Sequence, residues 1–192
     1  FLADFGNAVN ILKKGLPWEP GVSITPLPEL NKTGDLAELI DDACGKGARV
    51  VNRGGGSIDH TLMSPAVVYP VEPNMRLYSE EQFGPVVPIA PFSNIEEPMK
   101  YVIQSNYGQQ VSLFGSNPKT LADLIDPLVN QVCRVNINSQ CQRSPDTFPY
   151  TGRKDSAEGT LSVSDALRVF SIRTLVAAKE TEANRHIIRS IV

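Results

Sequence analysis

Few groups in this sequence are able to do chemistry. Three cysteines, Cys44, Cys133 and Cys141, could supply thiolates, and His60 and His186 could activate them or join them on a metal. The spacing supports neither role. There is no CxxC pair, neither histidine stands at metal-ligand spacing, and nothing beside Cys133 or Cys141 supplies a base to lower a thiol pKa. Reduced thiols and no metal site are therefore expected. Gly54-Gly55-Gly56 lacks the Gly-Lys-Ser/Thr continuation of a phosphate-cradling loop and reads as a turn before a strand. Glu80-Glu81 offers two acceptor-only carboxylates, and Phe83 places a ring two residues on, directly before Gly84-Pro85. By residue type alone, paired glutamates are usually solvated and a lone phenylalanine is usually core. Arg143 carries a guanidinium fork that matches phosphate oxygens, and it could equally satisfy backbone carbonyls of its own loop.

These side chains must be positioned by elements that the hydrophobic spacing specifies. Phe1, Phe5, Val9 and Leu12 follow helical spacing with no capping residue before them, so a helix already under way is expected to run to about Lys14. On this ground the sequence reads as part of a longer chain. Pro17, Pro20, Pro26 and Pro28 then exclude regular structure. Thr33 is expected to cap a second helix through Gly45, burying Leu36, Leu39, Ile40 and Ala43. Strands are expected at 48–51, 85–92, 111–115, 134–137 and 172–178. Helices are expected after Asn94, with Met99, Val102 and Ile103 inward, over 118–129, and from Ser162 or Ser164 with Leu167 and Phe170 buried. Alternation of this kind argues for a doubly wound, mostly parallel α/β sheet. The stretch from Asn138 to Gly159 reads as a long polar loop of the kind that carries function, and the charged tail from Lys179 reads as mobile or helical.

Bulk properties narrow the class further. A chain of 192 residues with 41% hydrophobic and 20% charged residues can bury one substantial core. A net charge of -3 and a pI near 5.4 argue against nucleic-acid or anionic-membrane partners, which need clustered Lys and Arg. The apolar runs 64–71 and 86–92 contain prolines and fall far short of the about 20 residues that a membrane span requires. Asn31-Lys32-Thr33 matches a glycosylation sequon with no other sign of secretion, so a cytoplasmic protein is expected.

Glu80-Glu81-Gln82-Phe83-Gly84-Pro85-Val86 resembles a segment of the aldehyde dehydrogenase superfamily, which carries Glu-Glu-x-Phe-Gly-Pro before a strand of its catalytic domain. The later stretch Asn136-Ile137-Asn138-Ser139 and Gln142 to Ser156 is similar to that family's Pro-Phe-Gly-Gly-x-Lys-x-Ser loop. Its Gln-Arg-x-Pro-Asp-x-Phe-Pro form resembles the non-phosphorylating, NADP-dependent glyceraldehyde-3-phosphate branch. The resemblance implies that residues 1–171 are an incomplete catalytic domain and that 172–192 form a C-terminal strand and tail acting as an oligomerisation element. It implies that Glu81 accepts hydrogen bonds from the nicotinamide ribose and that Phe83 packs beside the nicotinamide of NADP, with NAD possible. It further implies that Tyr150 lines the aldehyde site; Arg143, by its fork and its place in the long loop, is the candidate for gripping a phosphorylated substrate or else bonds backbone carbonyls, and Asn136 and Lys154 read as structural. Thr151 stands where the family has a glycine, which implies a stiffer loop. No catalytic residue is expected within the chain, because the family's nucleophilic cysteine lies in a segment upstream of Phe1. The parent is thus expected to oxidise glyceraldehyde 3-phosphate, a step of glycolysis, as a homo-oligomer. The alternatives are an unphosphorylated aldehyde as substrate, or a non-catalytic assembly module or proteolytic remnant.

Overall fold

The computed structural model describes residues 1–142, 148, 150–159, 163–172 and 174–191. They fall into two compact units, Phe1–Met99 and Lys100–Val192.

In the first unit, helical periodicity gives α1 (Leu2–Asn10) and α2 (Lys32–Gly45). α1 stops short of Lys14 because the chain there turns to bond its own backbone. Lys13 O accepts from Ser23 N at 2.9 Å, and Gly15 N donates to Ile24 O at 3.1 Å. α2 buries the expected stripe of Leu36, Leu39, Ile40 and Ala43. Thr33 does not cap it. The cap position is Asn31, and the buried Thr33 hydroxyl donates instead to His60 O at 3.2 Å. The short strands β1 (Arg49–Val50), β2 (Ile58–Asp59), β3 (Leu62–Met63), β4 (Ala66–Tyr69) and β5 (Val86–Pro88) follow. β4 is central, antiparallel to β1 and parallel to β5, and its Ala66, Val67 and Val68 are fully buried. β2 and β3 form a hairpin, so Gly54-Gly55-Gly56 does turn the chain before a strand. Pro88 sits on β5, whose one partner among the described residues is β4, as suits a residue without a donor to spare. The α2 stripe, Met63, Ala66, Val68 and Val86 make one core. Truncating a fully buried member such as Leu36 to alanine removes about 2–5 kcal/mol.

α3 (Glu96–Gln104) leads into the second unit. Asn94 Oδ1 accepts from Glu97 N at 3.2 Å while Glu97 Oε1 accepts from Asn94 N at 3.3 Å, a reciprocal cap. Met99 and Val102 are half-buried, but Ile103 is exposed. β6 (Tyr107–Gly108), β7 (Gln110–Leu113), α4 (Pro118–Leu128), β8 (Arg134–Ile137) and β9 (Arg153–Lys154) follow. β7 and β8 pair in parallel over four positions across the α4 crossover, which is the expected strand, helix and strand unit. Asn117 caps α4 by accepting from Thr120 N at 3.1 Å, with Pro118 at the permissive first turn. β9 pairs antiparallel with β6, so the long polar stretch contains a strand that its composition does not announce. The two longest ladders, β4 with β5 and β7 with β8, are both parallel.

The C-terminal region departs from expectation. α5 (Val163–Val169) forms, but Leu167 and Phe170 are 66% and 90% exposed rather than buried. Residues 172 and 174–178 form no strand within this chain, and Ile172 and Leu175 are 98% and 88% exposed. Periodicity reports which face is apolar and not whether anything covers it. The tail is helical, as α6 (Glu182–Ile191). Among the described residues, no helix is long and apolar enough to cross a membrane.

Candidate functional site

The segment 76–86 turns an alternation in sequence into an alternation in space. Arg76–Tyr78 forms a single 3-10 turn, extended by Glu80 N donating to Arg76 O at 2.9 Å. Arg76 closes on Glu80 with both prongs, Nε to Oε1 at 2.7 Å and Nη2 to Oε2 at 3.0 Å. Two residues on, Gln82 Nε2 donates to Val86 O at 2.9 Å. Two further on, Gly84 lies so close to the buried Leu36 that a Cβ there would come within 2.4 Å of Leu36 Cδ1. Residues 80, 82 and 84 are thus engaged with the protein, and 81 and 83 face away from it. Glu81 is exposed, with no hydrogen-bond or ion-pair partner among the described residues. Phe83 is 74% exposed and adopts φ 42°, a left-handed conformation that costs a phenylalanine about 1–3 kcal/mol. It is not core. A bulky residue held strained and exposed between tethered neighbours is the kind of feature found at ligand clamps.

Charge around this segment is organised from α2. The Arg76 backbone N–H donates to Asp42 Oδ2 at 2.9 Å, Asp42 pairs with Lys46 at 2.7 Å, and Lys46 Nζ donates to Asn74 O at 2.7 Å. The Arg76 hydrogen bonds hold the Glu80 carboxyl below its ordinary range, against an opposing effect of desolvation. Hydrogen bonding from Lys46, and then from the Arg76 N–H, does the same for Asp42. Sequence reasoning missed Arg76. Its only signal was a Glu four residues later, a spacing that carries weight on a helix but not in a single turn.

In the second unit, Tyr150 is half-buried and its hydroxyl accepts from Gln109 Nε2, in the junction between β6 and β7. Arg143 lies outside the described residues. Asn136 is buried on β8 and bonds the protein itself: its Nδ2 reaches Val111 O at 3.3 Å and its Oδ1 accepts from Arg134 Nε at 2.8 Å. Lys154 takes a structural part as well. Its Nζ donates to Val102 O at 2.6 Å, Ile103 O at 3.2 Å and Ser105 O at 2.8 Å, closing the carbonyl end of α3. Cys141 Sγ stands 3.3 Å from Ser112 Oγ and 3.8 Å from Asn136 Nδ2, a hydroxyl and an amide that cannot take its proton. Glu81 and Phe83 therefore share one loop of the first unit, and Tyr150 belongs to the second.

The two units make a mixed α/β fold whose longest ladders are parallel, and comparison supplies the family. Residues 1–176 match the aldehyde dehydrogenase family, and the chain belongs to it. It is 35% identical over 176 residues to an NADP-dependent glyceraldehyde-3-phosphate dehydrogenase of Streptococcus equinus, which covers 90% of this chain and 34% of that protein. It is 28% identical over 174 residues to a vanillin dehydrogenase of a Pseudomonas strain, covering 89% of this chain and 35% of that protein. The crystal structure of an NADP-dependent glyceraldehyde-3-phosphate dehydrogenase from Bacillus halodurans, complexed with NADP, matches with a TM-score of 0.80 at 33% identity. That match covers 86% of this chain and 34% of the other. The resemblance read from the two motifs and the α/β fold class are both borne out. The chain spans about a third of the length of the relatives it matches.

Proposed function

We propose that this chain is the part of an NADP-dependent aldehyde dehydrogenase that presents Glu81 and Phe83 to the nicotinamide riboside, and that the complete enzyme oxidises glyceraldehyde 3-phosphate to 3-phosphoglycerate. The observation that carries the reading is the outward pair. One carboxylate with both oxygens uncommitted among the described residues and one strained, exposed ring stand two residues apart on a loop tethered on either side. Glu81 then accepts the ribose hydroxyls, for which a carboxylate is suited because it offers acceptors and no donor. Phe83 limits where the ring beside it can sit. NADP, once bound, supplies the acceptor for the hydride leaving the aldehyde carbon. Likeness to NADP-dependent glyceraldehyde-3-phosphate dehydrogenases supports NADP and the phosphorylated substrate, with NAD the secondary cofactor. On the substrate side the proposal assigns Arg143 to the phosphate and the Tyr150 ring to the aldehyde wall. The 192-residue chain alone is expected to show no turnover: among the described residues, the hydrogen-bond partners of Cys141 are a hydroxyl and an amide, not a base.

The test is Glu81→Ala in the full-length protein, read as NADP affinity by calorimetry. Removing a charge-assisted acceptor is expected to weaken NADP about tenfold or more, and unchanged affinity contradicts the reading. A second reading, oxidation of an unphosphorylated aldehyde, is favoured by the likeness to vanillin dehydrogenase. Arg143→Leu separates the two. It is expected to raise KM for the phosphorylated aldehyde alone, and an equal effect on both aldehydes selects the second reading.

A further inference from the structure

We infer that Arg76 is a positioning residue that decides which of two adjacent glutamates faces the cofactor. This rests on the assignment of Glu81 above. Glu80 and Glu81 have the same chemistry, and the same short loop carries both. What separates them is the clasp: Arg76 occupies both oxygens of Glu80, at 2.7 and 3.0 Å, while Glu81 keeps its acceptors open. The carboxyl of Glu80, held ionised by that clasp, is correspondingly unavailable to another donor.

Arg76 is itself fixed rather than free to follow Glu80. Its backbone N–H is bound by Asp42 at 2.9 Å, and Glu38 Oε2 stands 4.0 Å from its guanidinium. Lys46 pairs with Asp42 and bonds Asn74 O, closing the network onto the residues just before the turn. Glu38 and Asp42 belong to α2, the helix whose Leu36 packs against Gly84, and Lys46 is the residue that caps its C-terminal end. One helix thus anchors the loop before Glu81 and after Phe83. Cutting the clasp leaves two neighbouring carboxylates to exchange places, and apparent affinity falls by the fraction of molecules in which the correct one points outward.

The experiment measures binding of NADP, and of its adenosine bisphosphate half, to the full-length protein and to its Arg76→Gln and Glu81→Ala variants. The half-ligand lacks the nicotinamide ribose, so it reports the rest of the site and the general integrity of the fold. Arg76→Gln is expected to weaken NADP about three- to tenfold and to leave the half-ligand unchanged. If NADP affinity is unchanged in Arg76→Gln while Glu81→Ala weakens it, the positioning role is overturned and the Glu81 reading stands. If NADP and the half-ligand weaken equally in Arg76→Gln, Arg76 is merely structural and the inference is again overturned. If Glu81→Ala itself leaves NADP unchanged, the underlying reading falls and takes the inference with it. Should Arg76→Gln fail to fold, Glu80→Gln breaks the same clasp from the other side and is judged by the same two ligands.

Discussion

The segment 76–86 and the region after residue 163 both carry exposed apolar side chains, yet only one of them is held. Phe83 is 74% exposed, but its neighbours are fixed by the Arg76 clasp, by Gln82 on Val86 O and by Gly84 against Leu36. Phe170, Ile172 and Leu175 are 88–98% exposed, on a stretch in which residues 172 and 174–178 join no ladder. Exposure in the first case is imposed by local restraints, which is how a protein presents a group to a ligand. Exposure in the second case has no such restraint among the described residues, and spacing alone names nothing that covers the apolar side chains.

The contrast can be broken most forcefully at its anchor. Leu36→Ala is expected to cost about 2–5 kcal/mol in chemical denaturation and to loosen the Phe83 loop at the same time. Next comes Gly84→Ala, whose added methyl meets Leu36 and should cost about 1–3 kcal/mol. Combining the two should recover part of that loss, and strict additivity would show that the packing of Gly84 on Leu36 does not restrain the loop. Lys154→Met, which strips three carbonyls at the end of α3 of their donor, should cost about 1 kcal/mol. At the small end, Leu175→Ser should change stability by less than about 0.5 kcal/mol in this chain, and a larger loss would mean the tail is packed after all.

The clasp also sharpens the comparison through pH. Glu80 and Asp42 have folded values below their ordinary ones, so the stability they contribute is complete above the ordinary carboxylate range and is lost as pH falls through the folded values. The gap in unfolding midpoint between the wild type and Arg76→Gln should therefore persist at neutral pH and narrow below about pH 4. A gap that widens on acidification would place the contribution of Arg76 elsewhere.

What the sequence disclosed follows the same division. The α2 stripe and the β7, α4 and β8 unit were legible because burial on one face imposes a period on the residues themselves. The acidic motif was legible because several unusual residues stand together, although residue type alone made Phe83 core. The β9 strand and the Thr33 hydroxyl on His60 O depend on partners brought close only by the fold, and the Arg76 clasp spans four residues in a single turn, where that spacing carries no weight by itself. Leu167 and Phe170 failed for the opposite reason. Their spacing is that of a buried helix face, but spacing names no partner.

The central claim is that Glu81, and not Glu80, faces the nicotinamide ribose. A crystal structure of the full-length protein with NADP bound tests it most directly. The account predicts a Glu81 carboxylate oxygen about 2.5–3.0 Å from a ribose hydroxyl, with Glu80 still clasped by Arg76. Glu81 left in solvent, or Glu80 released from Arg76 to make that contact, would contradict it.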